Sequence, residues 1–461
     1  MATDQADRVE ALTAIVGRGD VLVGAAISDD VTHDEALGLE PVTPWAVVRP
    51  HDTDQVSAII SWAGANGIPV TARGSGTGLS GACLPHPDGI VISFERMRSV
   101  VEMDLENHVA VVQPGLTLEE LDDQTAPHGL IYPVFPGESS ASLGGNVATN
   151  AGGMRAVRYG VTRSQVLGLT AVLGTGEVIR TGGKFVKATS GYDLTQLIIG
   201  SEGTLAVVTE VTLRLHPRPT SGATILVPFP DLEHVAASVP RIVGSGLNPT
   251  MLEYIDFVTM SAITANVGLD LGVPAEIAQA AMAYLVVVLE NRSDGRVEED
   301  TAELAELVTT LGALDVFVLP SAAGAALIDA REKAFWTAKA HNANEIIDVV
   351  VPRAEIPAYL DRCQQIAAEH GSLVVGCGHA GDGNVHLSIF QPDPEKCHLT
   401  LRQILVAGIE HGGAISGEHG IGRAKKEHLA SVEDPTKLDL MRRIKSAFDP
   451  AGILNPGAIF D

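Results

Sequence analysis

The residues best suited to chemistry lie in two glycine-rich segments near the carboxyl end of the chain. Residues 376–386 read GCGHAGDGNVH, so that His379 and His386 stand on either side of a turn-forming run. Short apolar runs at 372–376 and 385–390 flank this turn and predict the two strands of a hairpin. We expect such a hairpin to bring both imidazoles within reach of one ion.

A second segment, SGEHGIG at residues 416–422, places Glu418 directly before His419. Two histidine nitrogens and one glutamate oxygen form a ligand set with open positions, which is typical of a catalytic metal site. We therefore predict that His379, His386 and Glu418 bind one divalent ion, Zn²⁺ or Mn²⁺. His419 would then be free to act as a base. A purely structural role for these histidines is the alternative.

Composition and charge exclude several classes of protein. A chain of 461 residues is too long for one ordinary core and predicts two or three domains. Its 57 acidic and 31 basic residues give a net charge of −26, which disfavours binding to nucleic acids or to an anionic membrane surface. The longest apolar run, at 281–289, is too short to span a bilayer, so we expect no transmembrane segment.

The compartment is predicted from the amino terminus and the cysteines. The first residues are acidic and lack the basic and apolar regions of a secretory signal. The cysteines form no CxxC pair and no spacing typical of disulfides, which favours reduced thiols. We therefore expect a cytoplasmic protein. These cysteines are Cys83, Cys363, Cys377 and Cys397.

A glycine-rich loop in the first half, RGSGTGLSG at residues 73–81, follows a predicted strand at 68–72. It contains GxGxxG, but a predicted strand at 90–94, and not a helix, comes next, so this is not a dinucleotide-binding βαβ unit. No lysine stands in the Walker A position. The backbone N–H groups of such a loop can form an anion-binding nest, with Arg73 beside it. A glycine-rich turn without function is the alternative.

Two further segments of small residues complete this half. They read PGESSASLGGNVATNAGG at 136–153 and GSEGTL at 200–205. With few bulky side chains, a flat ligand can lie against the backbone at both segments. Together with the anion nest, they predict an extended nucleotide cofactor that is held without a Rossmann unit.

With these motifs, residues 42–217 resemble the FAD-binding domain of the vanillyl-alcohol-oxidase/PCMH flavoproteins. The resemblance implies two α/β subdomains with FAD between them. It implies non-covalent FAD, because the second segment contains no His or Cys, although Cys83 and His86 lie close to the first. The implied cofactor-binding residues are Arg73, Gly74, Ser75, Gly76, Thr77, Gly78, Ser80, Pro136, Gly137, Ser142, Gly145, Asn146, Thr149, Gly152, Gly153, Glu202, Gly203, Val208 and Asn455.

The second half resembles the C-terminal domain of FAD-linked oxidases. The D subunit of glycolate oxidase, flavin D-lactate dehydrogenases and D-2-hydroxyglutarate dehydrogenases share this module. The matching stretches are GHAGDGNVH, SGEHGIG and FDPAGILNPG. The resemblance implies the same metal ligands, His379, His386 and Glu418, and His419 as the base. It also implies that Arg331 clamps the substrate carboxylate and that Asn455 reaches back to the flavin.

The two resemblances predict an α+β protein. We expect a helical lead at 1–41, the PCMH-type FAD-binding domain at 42–217, a cap domain at 218–440, and a tail at 441–461 that returns to the flavin. The cap is predicted as an antiparallel sheet with helices on one side. One of its helices, at 325–340, carries Arg331, for which a surface ion pair is the alternative to a clamp.

The predicted function is an FAD-dependent dehydrogenase that oxidises a small D-2-hydroxy acid, of the D-lactate or glycolate type, by hydride transfer to flavin. Ile346 and Ser388 stand where the hydroxyglutarate branch carries Lys and Asn, which disfavours that dicarboxylate. The alternatives are D-2-hydroxyglutarate dehydrogenase, a flavin oxidase of another alcohol or phenol that uses O₂, and a flavin-binding subunit without catalysis. The sequence leaves open the electron acceptor (quinone, cytochrome or electron-transfer flavoprotein) and the oligomeric state, for which a homodimer is one option.

Overall fold

The structure is a computed structural model that describes residues 2–460, and it has the predicted α+β character. The helices are α1 (Ala2–Val16), α2 (Thr53–Asn66), α3 (Leu118–Thr125), α4 (Leu143–Thr149), α5 (Ala156–Tyr159), α6 (Thr162–Gln165), α7 (Leu194–Ile198), α8 (Leu232–Gly244), α9 (Phe257–Val267), α10 (Ala275–Ala280), α11 (Asp294–Thr310), α12 (Ser321–Glu332), α13 (Ala334–Ala340), α14 (Ile356–His370), α15 (Pro394–Glu410), α16 (Lys426–Val432) and α17 (Pro435–Phe448).

The strands form four sheets within residues 2–460. They are β1 (Val21–Val23), β2 (Ala46–Val48), β3 (Val70–Arg73), β4 (Ile90–Ser93), β5 (Val100–Asp104), β6 (Val109–Val112), β7 (Leu130–Ile131), β8 (Val166–Leu173), β9 (Val178–Gly182), β10 (Ala206–Arg214), β11 (His216–Pro217), β12 (Ser221–Phe229), β13 (Met251–Asp256), β14 (Ala283–Asn291), β15 (Phe317–Val318), β16 (Glu345–Val350), β17 (Leu373–Gly378) and β18 (Asn384–Phe390).

The first half of the chain contains two main sheets with separate cores. One has the order β1-β2-β4-β3 and packs against α1 and α2, and the other has the order β5-β6-β10-β8-β9. Strands β3 and β4 pair in parallel, with the first glycine-rich loop between them and no helix. This confirms the prediction that the loop connects two strands and does not open a Rossmann helix.

The second half is built on a seven-stranded sheet with the order β15-β12-β14-β13-β17-β18-β16. All of its pairings are antiparallel, as predicted. The prediction of helices on one side was wrong, because one face packs against α8, α11, α14 and α15 and the other against α9 and α12. The almost unbroken apolar run of β14 is the reason, since a strand buried on both faces does not alternate with polar residues.

The predicted hairpin is confirmed as β17 and β18, with Cys377 opposite His386. At its turn Gly383 has a φ of +94°, and the Asp382 carboxylate accepts a hydrogen bond from the backbone N–H of Asn384. The residues of the turn therefore act as their types predict, by reaching positive φ or by bonding their own backbone.

Two details of chain path matter for the site. The single helix predicted at 325–340 is instead two, α12 and α13, because the chain turns at Lys333, with φ −80° and ψ 8°. Beyond α17 the chain returns to the first sheet, where Leu454 pairs with Val70. The Asn455 side-chain amide donates hydrogen bonds to the carbonyls of Ala82 and Glu202.

Candidate active site

Two clefts meet at the loop that carries Glu418 and His419. The first cleft, of about 1260 Å³, lies among the three small-residue segments of the first half. The second cleft, of about 1350 Å³, lies between the sheet of the second half and the helices α9 and α13. Leu79, Pro136, Glu418 and His419 line both clefts. A molecule in either cleft therefore reaches the same carboxylate and imidazole.

The predicted metal ligands come together at this junction. Their potential ligand atoms, one from each of His379, His386 and Glu418, all lie within 4.8 Å of one another. Glu418 Oε1 is 3.1 Å from His379 Nε2 and 3.3 Å from His386 Nε2. The hairpin supplies the two imidazoles, and the segment that follows α15 supplies the carboxylate.

The donor set fits a cation. His379 Nδ1 lies 2.8 Å from Glu253 Oε1, so its proton points to that carboxylate and its Nε2 lone pair faces Glu418. The buried Nε2 of His386 has no hydrogen-bond partner among the described residues. Two imidazole nitrogens and a carboxylate oxygen that converge on one point form a site for positive charge, carried by a metal ion or by a proton on an imidazole.

The electrostatics agree with this geometry. Burial alone would lower the pKa of His379, yet the carboxylates of Glu253 and Glu418 outweigh it and raise the pKa well above its usual value. Burial alone would raise the pKa of Glu418, but His379 and His386 hold that pKa well below its usual value. The cluster therefore attracts positive charge, either a proton or a metal ion.

Glu253, on β13, is a site residue that the sequence analysis missed. Its side chain is almost fully buried, with 1 % of the residue exposed, and it contacts both His379 and Arg331. Metal-binding histidines usually donate their second N–H to a carboxylate, which fixes the ring. The signal in the sequence was a glutamate between Leu252 and Tyr254 in the strand MLEYID.

Asp348, on β16, was missed in the same way and holds the loop that carries Glu418 and His419. Its Oδ2 accepts hydrogen bonds from the Ser416 hydroxyl at 2.7 Å and the His419 backbone N–H at 2.8 Å. The backbone N–H groups of Gly417 and Glu418 also donate to it, each at 3.1 Å. One buried carboxylate thus positions four consecutive residues.

An alternative ligand group, formed by Asp348, His386 and His419, also falls within 4.8 Å. Asp348 is a poor ligand, because Oδ2 already accepts the four bonds from the loop and Oδ1 accepts one from the Asn384 side chain at 2.9 Å. The set His379, His386 and Glu418 is therefore the better candidate for a metal ion.

His419 lies next to the three candidate metal ligands His379, His386 and Glu418, which we call the metal cluster, without belonging to it. Its ring centroid is 5.2 Å from that of His386, and its Nδ1 is 3.8 Å from Asp348 Oδ2. Burial lowers the pKa of His419 to about 4, although the Asp348 carboxylate opposes the shift. The imidazole is therefore neutral at pH 7 and can accept a proton from a group in either cleft.

Arg331 lies in the last turn of α12 and lines the second cleft. It is buried, with 7 % of the residue exposed, so the surface ion pair considered above does not occur. Its Nη2 is 2.8 Å from Glu253 Oε2, while the buried Nε has no hydrogen-bond partner among residues 2–460. A guanidinium that lines a cleft and is paired with one carboxylate can also bind an anion there.

Most of the predicted cofactor-binding residues surround the first cleft. Four of them lie elsewhere: Gly137 lines only the second cleft, and Ser80, Gly153 and Asn455 are not among the lining residues of either. Those that line the first cleft are Arg73, Gly74, Ser75, Gly76, Thr77, Gly78, Pro136, Ser142, Gly145, Asn146, Thr149, Gly152, Glu202, Gly203 and Val208.

Comparison with known proteins identifies the family. Residues 218–459 match the model of the FAD linked oxidases, C-terminal domain, and residues 44–182 match the FAD binding domain. The chain belongs to the FAD-linked oxidases. Both resemblances inferred from the sequence motifs are thereby confirmed.

Similar proteins span nearly the whole of this FAD-linked oxidase. An uncharacterized FAD-linked oxidoreductase of Mycobacterium tuberculosis (strain H37Rv) is 54% identical over 446 residues, 97% of each chain. D-lactate dehydrogenase of Anaerostipes hadrus is 37% identical over 455 residues, 95% of this chain and 94% of that protein. The crystal structure of p-cresol methylhydroxylase with bound substrate superposes with a TM-score of 0.79 at 17% identity, covering 99% of this chain and 97% of the other. That likeness confirms the PCMH-type fold.

The walls of the first cleft in this FAD-linked oxidase are tightly packed backbone. A Cβ on Gly74 would lie 1.8 Å from Ser142 Oγ, and one on Gly152 would lie 2.6 Å from Glu418 Oε2. The Arg73 guanidinium donates a hydrogen bond to the His33 carbonyl at 2.7 Å, so it supports the first loop from the side. This cradle of small residues fits a flat cofactor.

Residues behind the cradle connect the two halves. The Glu202 carboxylate accepts hydrogen bonds from the backbone N–H groups of Ile421 and Gly422, at 2.7 and 2.6 Å. Burial raises the pKa of Glu202 to about 7. Through these bonds the third small-residue segment is attached to the same loop that carries His419, which fixes the first cleft relative to the second.

No helix within residues 2–460 is both long and apolar enough to cross a membrane. Cys83, Cys363, Cys377 and Cys397 form no disulfide within residues 2–460.

Proposed function

We propose that this FAD-linked oxidase is a dehydrogenase that converts a small D-2-hydroxy acid, of the D-lactate or glycolate type, to the 2-oxo acid. The observation that supports the proposal best is that Glu418 and His419 line both clefts. A substrate in the second cleft would therefore have a base and the metal cluster beside it, with the first cleft open on the other side.

When bound, FAD supplies a hydride acceptor in the first cleft, and a divalent ion held by His379, His386 and Glu418 supplies a Lewis acid that lowers the pKa of a hydroxyl group. Non-covalent binding of FAD is supported by Cys83, which lines the first cleft. Burial and the nearby Asp34 raise the pKa of the Cys83 thiol to about 12, so it is not a reactive thiolate.

The residues of this chain have separate tasks in the proposed reaction. Arg331 binds the substrate carboxylate through its free donor, and Glu253 holds the guanidinium in place from the other side. Neutral His419 accepts the proton of the substrate hydroxyl. Asp348, which faces His419 Nδ1, then stabilises the imidazolium that results.

The lining of the second cleft favours a monocarboxylate. Arg331 is the only Lys or Arg among the described residues that line it. Ile346 and Ser388 both line it and stand opposite each other on β16 and β18. A second carboxylate would therefore meet no cation there, which supports the preference for D-lactate or glycolate over D-2-hydroxyglutarate.

Anaerobic mixing of the FAD-loaded protein with a panel of 2-hydroxy acids tests this proposal. We expect D-lactate or glycolate to bleach the flavin absorbance, and L-lactate and D-2-hydroxyglutarate to bleach it far more slowly. If no hydroxy acid bleaches the flavin while a phenol or another alcohol does, the proposal is wrong and the oxidase alternative replaces it. Protein that stays colourless after reconstitution with FAD would contradict it outright.

A metal analysis tests the ligand set. Purified protein is expected to contain roughly one divalent ion per chain, and His386→Ala to lower the affinity for this ion by at least about 100-fold. His398→Ala is the matched control, because His398 packs against His428 on another face of the domain. Full flavin reduction by protein that a chelator has stripped of metal would show that the cluster has only a structural role.

A further inference from the structure

Three neighbouring strands direct their side chains into the second cleft in cross-strand rows. Asp348, His386 and Cys377 stand side by side on β16, β18 and β17, and we call them the reaction row. Two residues along each strand from it comes the middle row, formed by Ile346, Ser388 and Val375. Beyond it, Phe390 and Leu373 stand opposite each other as the outer row.

The rows define a direction away from the metal cluster. Residues two apart on one strand share a face and are about 7 Å apart, so the middle row lies about 7 Å and the outer row about 14 Å from the reaction row. All members of the middle and outer rows line the second cleft. Leu373 is 51 % exposed, which places the outer row at the mouth.

We call the part of the second cleft that runs along these rows the channel. The wall opposite the rows is apolar as well. Helix α9 contacts both β17 and α13, which closes the space over the strands. The main apolar side chains that these helices present to the cleft are Val258, Ala262, Ile263, Phe335 and Ala338.

Thr259 and His341 on that wall already have hydrogen-bond partners. Asp256 accepts a hydrogen bond from the Thr259 side chain. His341 Nδ1 is 2.8 Å from the Thr337 carbonyl. Glu332 is the remaining acid of the cleft outside the metal cluster; its Oε1 is buried without a hydrogen-bond partner among the described residues, and burial raises the pKa of this carboxyl to about 7. The middle and outer rows themselves contain no charged residue.

An acid as small as lactate can reach the reaction row but would leave most of this channel unfilled. A methyl side chain fills only a fraction of the distance to the middle row, so most of the apolar channel would remain in contact with water. Each methylene group that moves from water into such a channel strengthens binding by roughly fourfold. The channel therefore favours a substrate whose side chain covers the middle and outer rows.

We propose that the preferred substrate is a D-2-hydroxy monocarboxylic acid with a long apolar side chain, alkyl or aryl, that lies along the channel between the strands and the helices α9 and α13. This inference rests on the proposed function: it keeps the reaction and the monocarboxylate class but assigns a side chain longer than that of lactate or glycolate. Val375 and Ser388 would act as specificity-determining residues, because they form the floor of the channel where the side chain leaves the reaction row.

A series of substrates of increasing length tests the inference. Flavin reduction is measured anaerobically with unbranched D-2-hydroxy acids from D-lactate to D-2-hydroxyoctanoate. We expect kcat/KM to rise roughly threefold to fourfold per methylene group and to level off where the alkyl group passes the outer row. Octanoate should also bind more tightly than propionate, as measured by calorimetry on the FAD-loaded protein, which gives a readout without turnover.

Two variants test where the side chain of the substrate lies in the channel. Ser388→Phe should block the middle row and lower the ratio of kcat/KM for the longest acid to that for lactate by at least tenfold. Phe390→Ser at the mouth should affect only the acids that reach the outer row.

The outcomes separate the two proposals. If D-lactate is active and kcat/KM does not rise with chain length, the proposal of a long side chain is wrong and the dehydrogenase proposal stands. If no acid reduces the flavin, the dehydrogenase proposal is itself wrong. If Ser388→Phe does not fold, the wild-type series and the octanoate binding decide.

Discussion

Replacement of His419 by alanine is expected to slow the reduction of the flavin by a D-2-hydroxy acid by about 10²- to 10⁴-fold. The reason is that His419 is the neutral imidazole that lines both clefts, so its loss leaves the substrate hydroxyl without a proton acceptor. FAD should remain bound, because His419 is one of many residues that line the first cleft. Anaerobic stopped-flow spectroscopy measures the rate, and the visible spectrum of the same sample measures the FAD content.

The comparison for this variant is His398→Ala, which is expected to reduce its flavin at the wild-type rate. Metal content is measured in both variants, so that a loss of the ion is not mistaken for a loss of the base. An unchanged rate in His419→Ala would exclude His419 as the base, whereas a wild-type protein whose flavin no hydroxy acid reduces would favour the flavin-binding subunit without catalysis.

Replacement of Asp348 by alanine is expected to have the largest effect on stability. Ser416, Gly417, Glu418 and His419 would lose the buried carboxylate that accepts their hydrogen bonds. Removing one partner of a buried charged network costs about 3–5 kcal/mol in the free energy of unfolding. For a domain of this size we expect the thermal midpoint to fall by roughly 10 °C. Flavin reduction should be lost as well, because the loop that positions Glu418 and His419 is released.

Asp329→Ala serves as the control for this substitution. Asp329 forms an exposed ion pair with Lys333 at 2.8 Å, and such pairs contribute at most about 1 kcal/mol. Calorimetric scans of the two variants and of the wild type, each loaded with FAD, give the midpoints. Equal midpoints for Asp348→Ala and the wild type would mean that the loop is held by its other contacts.

The features that the sequence predicted well are local ones. The hairpin followed from turn residues between two apolar runs, and the first glycine-rich loop was correctly separated from a Rossmann motif by the strand that follows it. Both depend on backbone preferences over a few residues, and these act in the same way wherever the segment lies. The prediction of a helix that carries Arg331 was correct, but its single span at 325–340 missed the break at Lys333 that separates α12 from α13.

Glu253 and Asp348 show why part of the site was not predictable. Each is an acid between two apolar or aromatic neighbours in a strand, and no local pattern identifies its partner. Their partners lie far away in sequence: Glu253 contacts His379, and Asp348 contacts the loop at 416–419. Such contacts depend on strand register and sheet order, which no local pattern specifies.

By itself, the sequence determined the family, the small-residue cradle for FAD and the three candidate metal ligands, because each depends on residue types at short spacing. Tertiary structure alone decided that the two clefts share Glu418 and His419, that Arg331 is buried against Glu253, and that apolar rows lead from the metal cluster to solvent. The physical reason is that these features arise from side chains brought together by packing and strand pairing, and the free energy of such contacts is distributed over residues hundreds of positions apart.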